Sequence, residues 1–111
     1  MKITIEQLSN AVMQYFESEI YTKAVGFKKF TLGTAYVLYR PKLPGVIVNL
    51  LNNPLIKMLD IVDENGLIDL DKIYSAGKES IRKSGQFEIA GVLFNESDID
   101  RLYSIAQSQG G

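Results

Sequence analysis

Ile5, Leu8, Val12, Tyr15, Phe16 and Ile20 recur at three- and four-residue intervals and form one apolar stripe, which predicts an amphipathic first helix. Thr4 stands where an N-cap is needed, with Gln7 three positions on to complete a capping box. Gly26 is the expected stop, because glycine accepts the left-handed conformation that ends many helices. Residues 28–40 are ambiguous. Phe30, Thr31, Thr34, Tyr36, Val37 and Tyr39 favour a strand by composition, yet neither alternating face is cleanly polar. Gly33 with Ala35 suits a close helix–helix approach, and a helix folded back on the first as a hairpin is the favoured reading.

Pro41 and Pro44 bracket a turn, since proline lacks a backbone donor and restricts the residue before it. A third helix over 46–51 should break at Asn52-Asn53-Pro54, and Pro54 then opens a short fourth helix to about Leu59. Asp63-Glu64-Asn65-Gly66 reads as a tight turn in which Asn65 and Gly66 tolerate positive φ. Leu67-Ile68 suits a brief strand, and Asp69 should cap a helix from Leu70 to about Lys83 that Gly85 closes. Phe87-Glu88-Ile89 against Val92-Leu93-Phe94, turning at Ala90-Gly91, fits a small β-hairpin. The last helix is expected to begin near Ser97 or Asp98, leaving 107–111 as a flexible polar tail.

One phrase occurs twice. Asp69-Leu70-Asp71-Lys72-Ile73-Tyr74-Ser75 returns 29 residues later as Asp98-Ile99-Asp100-Arg101-Leu102-Tyr103-Ser104. Self-similarity at a fixed spacing marks a repeated structural unit. Each copy is expected to open a helix, with acids facing the positive end of the helix dipole and an aliphatic and a Tyr turned to the core. Capping and packing account for the pattern without a ligand.

A chain of 111 residues with 46% hydrophobic and 23% charged residues is expected to form one domain, 1–111, of mainly α (α+β) class. Cysteine and histidine are absent, which excludes disulfides, thiolate metal sites and His-based catalysis. No nucleotide-binding, hydrolase or zinc signature occurs, so no catalytic residue is assigned and an enzyme is not expected. Neighbouring acids such as Asp69 and Asp71 at a helix start are poorly tuned for acid–base work. No cofactor is implied.

Residues 63–69 partly resemble an EF-hand loop. Its first ligand position falls on Ile61 and its twelfth on Lys72, where calcium requires oxygen donors, so no metal ligand is assigned. An irregular cation-responsive cluster of Asp63, Asn65, Asp69 and Asp71 is the residual alternative. The start Met1 to Glu6 lacks the character of a signal peptide, and no stretch approaches the ~20 apolar residues that span a bilayer. A cytoplasmic protein without a membrane partner is expected.

Charge is uneven. Residues 1–57 carry 7 Lys or Arg against 3 Glu, whereas 58–111 carry 5 against 10. Halves that dock on each other or on a neighbouring copy are the simpler explanation. The rival is a nucleic-acid contact through Lys23, Lys28, Lys29, Arg40 and Lys42, interleaved with Phe27, Phe30, Tyr36 and Tyr39. In a small domain without Trp those aromatics are expected to build the core. The aliphatic stretch 43–61 exceeds what one short helix buries, so a partner-binding surface at Val46, Ile47, Leu50 and Leu51 is expected, with self-association as its use.

Residues 63–74 and 94–103, which contain all but the final Ser of each copy of the phrase, resemble small prophage proteins of Gram-positive bacteria over roughly half of the chain. The matched phrases are capping and packing patterns, and the resemblance brings no catalytic residue with it. It implies a small accessory, structural or assembly protein of a phage, acting through another phage or host protein or through itself.

Overall fold

A computed structural model describes residues 1–85, 87–89 and 92–110, the strands 87–89 and 92–94 by their backbone alone. The element order is β1 (Lys2–Ile3), α1 (Ile5–Tyr15), a π-helical extension (Phe16–Tyr21), α2 (Gly26–Tyr39), a 3-10 turn (Arg40–Lys42), α3 (Leu43–Leu51), α4 (Pro54–Lys57), β2 (Ile68–Asp69), α5 (Leu70–Ser84), β3 (Phe87–Ile89), β4 (Val92–Phe94) and α6 (Glu96–Gly110). The fold is mainly helical, as the sequence predicts.

Thr4 and Gln7 form the expected capping box at 3.1 and 2.8 Å. The Ser18 and Thr22 hydroxyls bond back to the carbonyls four residues earlier. Such bonds compete with the helical ladder, and the helix widens here to an i→i+5 bond from Thr22 N–H to the Glu17 carbonyl. Gly26 does not stop this arm. It takes φ +63° at the start of α2 instead, after an extended Val25. The ambiguous segment 28–40 is helical, and α2 turns back against the π-helical end of the first arm.

β1 pairs antiparallel with β2, Ile3 opposite Ile68. This N-terminal strand was not foreseen, because a two-residue strand has no readable period. Ile3 and Ile68 are both fully enclosed, and with Ala11, Ile61, Leu70 and Ala106 they make the core. Helices α1 and α6 run antiparallel over it: Gln7 reaches the Gln109 carbonyl at one end, and Glu19 meets Arg101 at the other. β3 and β4 pair in the expected register between α5 and α6, while the expected turn at Ala90 and Gly91 lies outside the described residues.

Asp69 caps α5, accepting from the amides of Asp71 and Lys72 at 3.1 and 3.3 Å. Gly85, at φ +82°, ends that helix. Within the turn at 63–66 only Gly66 has positive φ, Asn65 keeping an ordinary backbone while its amide bonds the Asp63 carboxylate.

Two expectations about α6 are corrected. Its cap is Asn95, not Ser97 or Asp98: the Asn95 side chain accepts from the Asp98 amide at 3.1 Å, and the Asp98 carboxylate accepts from the Asn95 amide at 2.9 Å. The second copy of the phrase therefore begins one turn inside its helix. The tail expected from residue 107 is helical to Gly110, held by Gln109 through its carbonyl to Gln7 and its amide to Gln14.

Candidate functional site

From residue 20 to residue 59 the chain contains no Asp or Glu, but it contains Lys23, Lys28, Lys29, Arg40, Lys42 and Lys57. Among the described residues, thirteen large apolar side chains are exposed, and all but Met1 lie between Val25 and Leu59. The segment α2–α4 is thus an acid-free arm with an apolar surface, and α2 itself buries no residue.

α2 presents two different faces. Lys29, Gly33 and Tyr36, with Arg40 just past the helix end, are spaced at three and four residues and form the inner one. Tyr36 stacks on Phe16 at 5.8 Å, and the Tyr21 ring lies against Gly33 so closely that an added Cβ would stand 3.2 Å from it. Lys29 and Arg40 lie over the rings of Tyr21 and Tyr36 at 5.2 and 5.7 Å. The opposite face carries Phe27, Phe30, Thr31, Thr34, Val37 and Leu38, all exposed. The Thr31 and Thr34 hydroxyls are turned back onto the Phe27 and Phe30 carbonyls at 3.1 Å, so even the polar positions offer apolar surface outward. Phe27 stacks on Phe30 at 6.3 Å.

The expectation that these aromatics build the core is corrected for Phe27, Phe30 and Tyr39, which are 83%, 72% and 62% exposed. The buried cluster is built instead from Ile3, Ala11, Ile61, Ile68, Leu70 and Ala106.

The cations of the arm differ from those of the body. Lys2, Lys72, Lys78, Arg82, Lys83 and Arg101 each have a carboxylate within bridging distance. Lys23, of the basic set read in the sequence, differs from the others in pairing with Glu19 at 2.8 Å. Lys28, Lys29, Arg40, Lys42 and Lys57 form no ion pair among the described residues. Lys57 was missed in the sequence; the acid-free run from 20 to 59 was the signal that points to it.

Of the four aliphatics expected to bind a partner, Val46 and Leu50 stand at the surface, one helical turn apart on α3. Ile47 is corrected to a buried residue, and Leu51 packs on the core. The stretch therefore has an inner edge that anchors α3 and an outer edge that is free.

The repeated phrase does something the sequence did not disclose. The Tyr74 hydroxyl donates to the Asp100 carboxylate at 2.6 Å, and the Tyr103 hydroxyl donates to Asp71, so each copy's Tyr holds the other copy's third-position acid. The two rings meet at 4.5 Å, and Gly77 admits Ile99 between α5 and α6. The Tyr74 hydroxyl, then Lys78, hold the Asp100 carboxyl below the usual carboxylate range; the Met1 amino group, then Tyr103, do so for Asp71. Carboxylates kept ionised in this way are poor general acids at neutral pH.

The three acids of the cation alternative have other partners, and Asn65 bonds Asp63 through its backbone amide. Asp63 accepts from Lys2 and from the Asn65 and Leu67 amides, Asp69 caps α5, and Asp71 holds Tyr103. Among the described residues no three acids converge on a metal-sized space. No helix among them is long and apolar enough to cross a membrane. No protein-family model, curated protein or solved structure matches this chain.

Proposed function

We propose that this protein is a non-enzymatic interaction module, an accessory or assembly component that self-associates through the outer edge of α3. The observation that carries the reading is the concentration of exposed apolar side chains between Val25 and Leu59, the segment of α2–α4, while the rest of the described chain exposes Met1 alone among large apolar residues. Exposed apolar surface gathered in one segment marks a binding face. α3 contains no charged residue, so Val46 and Leu50 of two copies meet without electrostatic penalty. The likeness to prophage proteins fits a component of a phage assembly.

Light scattering across a concentration series tests this. The native chain associates, and V46S/L50S shifts it to monomer with a native circular dichroism spectrum and a melting temperature that no longer depends on concentration. A native chain that stays monomeric at every concentration removes the self-association reading.

A further inference from the structure

We propose that the outer face of α2 is an interfacial membrane-binding surface that takes an anionic phospholipid bilayer. This goes beyond self-association, which uses α3. Phe27, Phe30, Val37 and Leu38 supply an apolar face without an unsatisfied polar group, and Lys28, Lys29, Arg40 and Lys42, which form no ion pair among the described residues, lie behind it or at its C-terminal end, Lys29 and Arg40 over the Tyr21 and Tyr36 rings. A helix that lies in the head-group region has this composition: aromatics and leucine downward, Lys and Arg reaching back to phosphate. Fourteen residues extend about 21 Å, short of the ~30 Å hydrocarbon thickness, so α2 lies in the interface rather than across it.

A second copy satisfies only half of this chemistry. α2 against α2 matches apolar surface but brings two sets of like charges together. α2 against the acidic body matches charge, but among the described residues the body offers Met1 alone as large exposed apolar surface. An anionic bilayer satisfies both. The residues outside 20–59 carry 6 cations against 13 acids, so the same field that draws α2 to the membrane turns the body away from it.

The test is co-sedimentation of the full chain with mixed phosphatidylglycerol–phosphatidylcholine vesicles and with pure phosphatidylcholine. Binding to the mixed vesicles alone, weakened by salt, is expected. K28Q and R40Q should each lower the partition coefficient about fivefold, and F27S/L38S should abolish binding while the circular dichroism spectrum stays native. Absence of binding to the mixed vesicles, equal binding to both kinds, or insensitivity to K28Q and R40Q overturns the proposal. A single-stranded oligonucleotide that binds to Lys28 and Arg40 while vesicles do not assigns the face to nucleic acid and overturns it too. The V46S/L50S variant separates the two readings: it still binds vesicles if α2 acts alone, whatever light scattering says of α3.

Discussion

Tyr74 on α5 donates its phenol hydrogen to Asp100 on α6, and the residue 29 positions after Tyr74, Tyr103, returns the bond to Asp71, 29 positions before Asp100. The repeat in sequence is thus a reciprocal latch between two helices, and an ammonium backs each acid: Lys78 at 3.0 Å on Asp100 and the Met1 amino group at 2.8 Å on Asp71.

Removing either hydroxyl should loosen the α5–α6 contact. Y74F and Y103F keep the tilted ring contact and lose the bond, so each is expected to lower the melting temperature less than truncation of a core isoleucine does. A double-mutant cycle of Y74F with D100N isolates the pair. Coupling near zero would show that the two groups are held together by the ring contact instead.

The same latch sets a pH dependence at both ends. Hydrogen bonds from Tyr74 and from the Met1 amino group lead the causes that depress Asp100 and Asp71 below the ordinary carboxylate value. A depressed carboxyl stabilises the fold above its unfolded pKa, and that contribution disappears as pH falls through the folded value, below about pH 4. The phenols of Tyr74 and Tyr103 are raised by their bonds to those acids. Their contribution is complete below the unfolded value near pH 10 and is lost as pH rises through the folded one. Melting temperatures measured across this range should fall at both limits, and Y74F/Y103F should flatten the alkaline fall. Burial, with the Asp98 carboxylate, also raises Tyr15, so part of the alkaline fall survives in that variant.

Helix caps test how the sequence is read. Asp69→Ala should cost about 1 kcal/mol through loss of the amides of Asp71 and Lys72. Asn95→Ala should cost about as much, whereas Ser97→Ala should stay within about 0.5 kcal/mol in urea melts. The start of α5 was legible because Asp69 follows a turn with strong signals at Asn65 and Gly66. The start of α6 was misplaced because aligning the two phrases put Asp98 in the role of Asp69. Asn95 and Asp98 form their own reciprocal box one turn earlier, and a repeat in side chains does not require a repeat in helix phase. The pairing of β1 with β2 was not legible either, since it joins Ile3 to Ile68 through a contact that no local pattern encodes.

Substitutions on the two sides of the chain separate core from surface. Ile68 is fully enclosed between β1 and the helices, and Ile68→Ala should cost about 2–5 kcal/mol. Phe27 is larger, and by residue type it is an equally good core candidate. Its exposure means that Phe27→Ser should change stability by no more than about 0.5 kcal/mol. Residue type favours aromatics as core, but the buried cluster joins six aliphatic and alanine side chains from elements distant in sequence, a convergence that no local pattern encodes. What the sequence did carry was the acid-free run from 20 to 59, because a surface that must meet apolar and anionic matter excludes carboxylates as well as accepting cations. Urea denaturation of I68A and F27S decides the matter. Equal losses would place Phe27 in the interior and remove the apolar face of α2; a loss confined to I68A leaves that face free for a partner.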